Sequence, residues 1–201
     1  MKNFVGLFAF VCLLSVSAQA EMKAPGKAVQ AAIDKIKVVV ANESELPKEK
    51  LDGELEQIVR NIFNFNEMSR RCLGKNWKNA NPQQRKEFTN LFTQLLSKTY
   101  LNRLKKINES EIKFDNEKVK GKRAVVNTTI KHNNGNFKMN YRMGNKKGSW
   151  EVYDVVIENI SLVSNYRSEF DAIIRKDQID GLISRLKEKV NSEADAEPIG
   201  A

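Results

Sequence analysis

The sequence has few of the side chains that most enzymes use for catalysis. It contains one histidine, His132, and two cysteines, Cys12 and Cys72, among 201 residues. One histidine cannot form the usual zinc sites without several cysteine or carboxylate partners. The chain also lacks a glycine-rich phosphate loop, an HExxH motif and a GxSxG motif. These absences disfavour an enzyme without excluding one, and we predict neither a metal site nor a cofactor.

His132 and Cys72 each have a simpler interpretation than catalysis. His132 lies beside a polar turn at residues 133–136, where a solvated side chain is expected. Cys72 falls on a short predicted helix, where a small buried apolar residue is expected. A neighbouring Arg70 or Arg71 could in principle activate the thiol, but we predict a structural role for it.

Long apolar runs are absent except at the N-terminus. Residues 4–16 are almost uniformly apolar, Lys2 precedes them, and Ala18 and Ala20 form a small-x-small cleavage site. This pattern is typical of a secretory signal peptide, so residues 1–20 are predicted to be removed on export. No later stretch approaches the roughly 20 apolar residues of a membrane-spanning helix. We therefore expect a soluble mature protein.

Removal of the signal peptide would take Cys12 away and leave Cys72 without a partner for an internal disulfide. A packed core must then stabilise the fold. Residues 21–190 are long enough for a single domain with such a core. Residues 191–201 are acidic and small and contain proline and glycine, which predicts a disordered tail.

The chain carries a formal net charge of +9. Its positive charges are spread along the sequence and fall beside predicted turns, as at residues 105–106, 120–123 and 146–147. A nucleic-acid-binding protein is expected to gather such charges on one face, so we predict no nucleic-acid partner. The surplus suits contact with anionic membranes or acidic proteins.

Helical periodicity dominates the chain from residue 28 to residue 107. Short helices are predicted over residues 28–40, 54–63 and 66–73. Asn66 is the expected cap of the third, and Gly74 its end. Asn81 and Pro82 then open a long helix whose apolar residues cover more than half of its circumference. This helix must bury two sides, either in a central core or beside a ligand cavity.

The periodicity changes from helical to alternating after residue 110. Strands are predicted at residues 112–119, 124–131, 137–143 and 150–157, with polar and glycine-rich turns between them. Helical spacing returns over residues 162–174 and 179–190. The sequence therefore predicts an α+β fold, with several helices packed on one face of an antiparallel sheet of about four to five strands.

The apolar face of the predicted sheet is rich in aromatic and thioether side chains. It brings together Phe137, Met139, Tyr141, Met143 and Trp150. Such side chains suit the lining of a cavity that accepts flexible tails. They are also ordinary core residues, so the pattern leaves both interpretations open.

Asp154 is a carboxylate on a predicted strand, on the same face as Val152 and Val156 if alternation holds. A buried carboxylate in a cone-shaped cavity could act as a general base, as in isomerases of that shape. Buried charges are normally paired, which favours an ion pair with Arg142 or Arg167. A bulge that turns Asp154 to solvent is a further alternative.

Three segments of the chain resemble the MlaC or toluene-tolerance family, periplasmic phospholipid-binding components of an ABC-type lipid transport system. They are Phe63-Asn64-Phe65 with Met68, Arg70, Leu73, Gly74 and Trp77; Trp150-Glu151-Val152-Tyr153-Asp154-Val155; and Ser161-Leu162-Val163-Ser164-Asn165-Tyr166-Arg167. The resemblance extends over nearly the whole mature chain. Asn64 and Asn159 depart from the family, where Asp and Gly respectively are common.

The resemblance implies a helical layer over a curved sheet that encloses an apolar cavity for acyl chains. It implies a shuttle of diacyl phospholipid between an outer-membrane lipoprotein complex and an inner-membrane ABC transporter complex, which maintains outer-membrane lipid asymmetry. It also implies a periplasmic location. Two other functions stay open, a cavity enzyme of isomerase type that uses Asp154 and a periplasmic chaperone for lipoproteins or polypeptides.

The predicted cavity lies between the long helix and the sheet. Its expected lipid-binding residues are Phe92, Leu95, Leu96, Tyr100, Val126, Ile130, Phe137, Met139, Tyr141, Met143, Trp150, Val152, Val156, Tyr166, Phe170 and Ile174.

Overall fold

A computed structural model describes residues 24–132 and 135–192 of the chain. Three predictions fall wholly or partly outside these described residues. They concern the signal peptide at residues 1–20, the turn residues 133–134, and residues 193–201 of the acidic tail.

Five α-helices and five strands follow one another in the described residues. The helices are α1 (Pro25–Ala41), α2 (Lys48–Ile62), α3 (Phe65–Leu73), α4 (Pro82–Lys105) and α5 (Leu162–Asn191). The strands are β1 (Glu111–Lys120), β2 (Arg123–His132), β3 (Gly135–Lys146), β4 (Ser149–Ile157) and β5 (Ile160–Ser161). The strands form one antiparallel sheet in the order β1-β2-β3-β4-β5, so sequence neighbours are also sheet neighbours. The predicted α+β fold is confirmed.

Helix α4 begins where the sequence predicts. The Asn81 side chain accepts a hydrogen bond from the Gln84 backbone N–H at 2.8 Å, and the Gln84 side chain accepts one from the Asn81 N–H at 2.9 Å. This capping box satisfies two backbone donors that the helix leaves without an internal partner. Pro82 occupies the first turn, where its missing N–H costs nothing.

Helix α3 has a different cap from the one predicted. The side chain of Asn64, not that of Asn66, accepts from the Glu67 backbone N–H at 2.8 Å. The amide nitrogen of Asn64 also donates to the Glu151 carboxylate at 2.5 Å, a bond that an aspartate could not make. Gly74 ends the helix as predicted, at a φ of +54° that favours glycine.

A bulge interrupts the predicted alternation in β4. The register pairs Val152 with Met143, Asp154 with Arg142, and Val155 with Tyr141, so that Tyr153 is extra. One extra residue reverses which side chains face the helices from that point on. Val155 and Ile157 therefore face inward, where strict alternation would have placed Asp154 and Val156.

The helices pack both against one another and against the sheet. An all-helical core joins α3, α4 and α5, while α1 packs on the inner face of the sheet, where Val29 and Ile33 belong to one cluster with Val126, Met143 and Trp150. Helix α5 comprises the two predicted helical segments, which meet at a kink at Gln178. Among the described residues, none of the helices has the length and apolar character needed to cross a bilayer.

Candidate functional site

An apolar cavity of about 550 Å³ lies between the helical layer and the inner face of the sheet. Its helical wall includes Val29, Ile33 and Ile36 of α1, Val59 and Ile62 of α2, Phe65 and Met68 of α3, and Leu96, Tyr100, Leu101 and Leu104 of α4. Its sheet wall includes Ile112, Ile130, Phe137, Met139, Tyr141, Val152, Val155 and Ile157. The volume lies within the range of pockets that hold small organic ligands.

Helix α4 divides its apolar residues along its length between the core and the cavity. Phe88, Phe92 and Leu95 are completely buried in the all-helical core. Tyr100, Leu101 and Leu104, one to two turns later, line the cavity instead. The wide apolar arc seen in the sequence thus combines a close-packed first half with a cavity-facing second half.

The structure places part of the predicted lipid-binding set in the cavity wall. These residues are Leu96, Tyr100, Ile130, Phe137, Met139, Tyr141 and Val152. The other predicted residues lie outside the wall. They are Phe92, Leu95, Val126, Met143, Trp150, Val156, Tyr166, Phe170 and Ile174.

Close packing keeps most of the second set out of the cavity. The ring of Phe92 packs edge to face against the rings of Tyr166 and Phe170, with centroid distances of 5.1 and 5.6 Å. Leu95 and Ile174 belong to the same core. Val126, Met143 and Trp150 are buried in the cluster that joins the sheet to α1, and the bulge in β4 turns Val156 away.

The sequence prediction missed the contribution of the first three helices. Periodicity correctly indicated that α1 and α2 pack against something, but the same apolar stripe serves a close-packed surface and a cavity wall. Val29, Ile33 and Ile36 recur at helical spacing and would have been candidates had α1 been placed over the sheet. Nothing in the local sequence specified that placement.

Tyr141 and Met139 provide the polar atoms in the middle of the apolar wall. The Tyr141 hydroxyl donates to the Met139 sulfur at 3.2 Å, and Thr128 donates to the Met139 carbonyl at 2.7 Å. Burial raises the pKa of Tyr141 to about 12, against the opposing effect of Thr128. The phenol is therefore neutral at physiological pH and supplies no charge to the cavity.

The other polar groups of the wall lie where the cavity meets solvent. They are Glu56, Ser97, Arg103 and Ser110, none of which is buried. Glu56 forms an ion pair with Arg60 at 2.5 Å and accepts from Ser97 at 3.5 Å. This distribution suits a ligand with a long apolar part inside and a polar part outside.

Asp154 lies outside the cavity and forms a structural ion pair. The residue is 3% exposed, and its carboxylate accepts from Arg142 at 2.9 Å, Ser161 at 2.7 Å and the Val163 backbone N–H at 3.1 Å. The predicted partner Arg142 is confirmed. The bulge moves Asp154 off the cavity face, but the start of α5 covers it, so it does not reach solvent. A carboxylate with these partners and no access to the cavity has no geometry for general-base catalysis there.

Cys72 is buried, and its sulfur donates to the Val163 carbonyl at 3.8 Å. Burial raises the pKa of the thiol, while Arg167 lowers it by less. A protonated, inaccessible thiol is not a nucleophile, which agrees with the structural role predicted for Cys72.

A family model described as MlaC protein matches residues 30–188. The chain is 26% identical over 205 residues to an intermembrane phospholipid transport system binding protein MlaC of Haemophilus influenzae, covering 95% of this chain and 94% of that protein. It is 31% identical over 129 residues to the toluene tolerance protein ttg2D of Pseudomonas putida, covering 60% of each.

Solved structures resemble most of the chain, as the following example shows. It is a phospholipid-binding protein from Ralstonia solanacearum in complex with a phospholipid. The two folds match with a TM-score of 0.75 at 22% identity, covering 82% of this chain and 95% of that chain. At this identity the likeness establishes the fold.

Proposed function

This chain belongs to the MlaC family, and from that membership we propose that it is a phospholipid carrier that holds acyl chains in the cavity between α4 and the sheet. The apolar cavity is the observation that carries the proposal. Its wall is almost wholly aliphatic, aromatic and thioether, and its polar groups other than the neutral Tyr141 hydroxyl lie at the rim. The Haemophilus influenzae and Ralstonia solanacearum relatives are both named for phospholipid, which supports the same ligand here.

The energetics of acyl-chain burial suit a carrier. Burying about 30 methylenes at about 0.8 kcal/mol each is favourable by on the order of 25 kcal/mol, relative to leaving them exposed to water. A bilayer offers a similar shelter, so transfer between carrier and membrane is close to balance. Directional transport then requires partners or ATP hydrolysis outside this chain.

The proposed setting is the periplasm, after removal of residues 1–20. There the carrier would exchange diacyl phospholipid with an outer-membrane lipoprotein complex and an inner-membrane ABC transporter complex, and so help to maintain outer-membrane lipid asymmetry. The Haemophilus influenzae relative is named as part of an intermembrane phospholipid transport system, which supports this setting. The proposal is a carrier and not an enzyme. It is supported by Asp154, whose carboxylate lies outside the cavity and accepts three hydrogen bonds there.

Native mass spectrometry of protein purified from the cell envelope tests the proposal. We expect diacyl phospholipid bound to the folded protein, and reloading from vesicles after its removal. A protein that neither co-purifies with phospholipid nor takes it up would contradict the proposal. An empty protein that converts a small ligand would favour the cavity enzyme, and one that captures unfolded polypeptides would favour the chaperone.

A further inference from the structure

Arg103 is the cation at the rim of the cavity. Among the residues that form the cavity wall in the described part of the chain, it is the only lysine or arginine and the only exposed residue. It shares the cavity-facing stripe of α4 with Leu96 and Tyr100. Its guanidinium lies over the ring of Tyr100, 5.4 Å from the centroid. The stacking holds a positive charge at the point where the apolar wall ends.

Other charged residues of the cavity wall and of the end of α4 form ion pairs that do not include Arg103. Glu56, the acidic residue of the wall, is paired with Arg60 at 2.5 Å, and Lys105 is paired with Asp52 at 2.6 Å. Among the described residues, Arg103 itself forms no ion pair. Its guanidinium therefore keeps its hydrogen-bond donors available for a ligand.

A phospholipid with its tails in this cavity must place its phosphodiester near the rim, because a buried anion without a partner is costly. Guanidinium groups match phosphate oxygens through paired, charge-assisted hydrogen bonds. We propose that Arg103 binds the phosphodiester of the lipid headgroup and so selects phospholipids over neutral lipids with the same tails. This inference rests on the proposed carrier function.

Arg103 has a simpler role that the test must separate from this one. It lies in the last turn of α4, where any cation stabilises the helix dipole. Lys106 follows the same helix end, is exposed and does not contribute to the cavity wall. Lys106→Gln is therefore the matched control for Arg103→Gln, with the same loss of charge at the same place.

The experiment offers both lipids to delipidated protein at once. Vesicles contain equal amounts of dioleoyl phosphatidylglycerol and dioleoylglycerol, and the lipids bound per protein are measured by mass spectrometry after the vesicles are removed. We expect Arg103→Gln to lower the ratio of bound phospholipid to diacylglycerol roughly tenfold. Arg103→Lys should recover part of the ratio, and Lys106→Gln should leave it unchanged.

Two results would overturn the inference while leaving the carrier function intact. One is an unchanged ratio in Arg103→Gln, and the other is an equal fall in Lys106→Gln, which would indicate only general electrostatic attraction to anionic vesicles. If the wild-type protein binds neither lipid, the proposed carrier function itself fails. Thermal midpoints of the three variants check that the fold is retained.

Discussion

At the scale of single residues, Asp154 illustrates how burial and partners determine the role of a carboxylate. It receives three hydrogen bonds, from Arg142, Ser161 and Val163, and these tie β4 to β3, to β5 and to the start of α5. Satisfied buried charges of this kind fix the geometry of the surrounding elements. Its environment is therefore that of a structural anchor at the sheet edge.

Replacing Asp154 with Asn should lower the free energy of unfolding by about 2–3 kcal/mol, because Arg142 loses its charged partner and the amide cannot accept the same bonds. Urea denaturation measures the change. Phospholipid bound per folded molecule should stay the same. Asp177→Asn is the control, since its pair with Arg185 is exposed and should contribute less than about 1 kcal/mol. Full stability with loss of lipid in Asp154→Asn would contradict the structural role.

At the scale of elements, the kink in α5 depends on its backbone. Gln178 has φ +60° and ψ −173°, a conformation that is costly for any residue with a side chain. The turn brings Asp177 so close to Gly181 that a Cβ on Gly181 would lie 2.3 Å from the Asp177 Cβ. Gly181 therefore permits the two halves of α5 to pack as they do.

Gly181→Ala should destabilise the protein by about 1–2 kcal/mol, because the added methyl group has no room and the kink must shift. Gly53→Ala in α2 is the matched control, since no atom lies within 4 Å of its added Cβ. That substitution should stabilise the protein by about 0.5–1 kcal/mol through helix propensity. Urea denaturation of both variants checks the pair, and equal stabilisation would show that the kink does not need glycine.

The boundary between cavity and core can be tested within the sheet itself. Val155 and Val126 belong to the same apolar cluster, but Val155 lines the cavity, whereas Val126 does not and is 1% exposed. Val155→Trp should leave the thermal midpoint nearly unchanged but abolish phospholipid binding, because the indole occupies empty space. Val126→Trp should cost about 1–3 kcal/mol or more through overpacking.

Thermal denaturation and native mass spectrometry of the two tryptophan variants give both quantities. Marked destabilisation by Val155→Trp would show that this part of the wall is close-packed. Unchanged lipid in that variant would place the acyl chains elsewhere.

At the scale of the whole molecule, the prediction concerns export. The envelope form should begin at Glu21, because Ala18 and Ala20 fit the small pockets of the signal peptidase. N-terminal sequencing tests this directly. Titration of thiols in denaturant adds an independent test, since loss of residues 1–20 removes Cys12 and leaves Cys72 as the one thiol per chain. Two thiols and a retained N-terminus would remove the basis for a periplasmic carrier.

The family resemblance drawn from three sequence segments is confirmed by the family match over residues 30–188. Phe63 and Asn64, from the first segment, contact a residue of the second segment. Phe63 forms a bridge to Val152, and the Asn64 N–H donates to the Val152 carbonyl at 2.8 Å. The helical layer is thus joined to the sheet at residues that the resemblance includes.

The sequence by itself determined the features that depend on near neighbours. The capping residues Asn81 and Gln84, the stop at Gly74 and the alternation of β3 each follow from contacts a few residues apart. It did not determine which apolar surfaces meet. Whether Phe92 packs in a core and Tyr100 faces a cavity depends on where α5 lies, and whether Val155 or Val156 faces inward depends on a single extra residue in β4. Periodicity records that a side chain avoids water, but only the tertiary arrangement decides whether protein or ligand takes the place of that water.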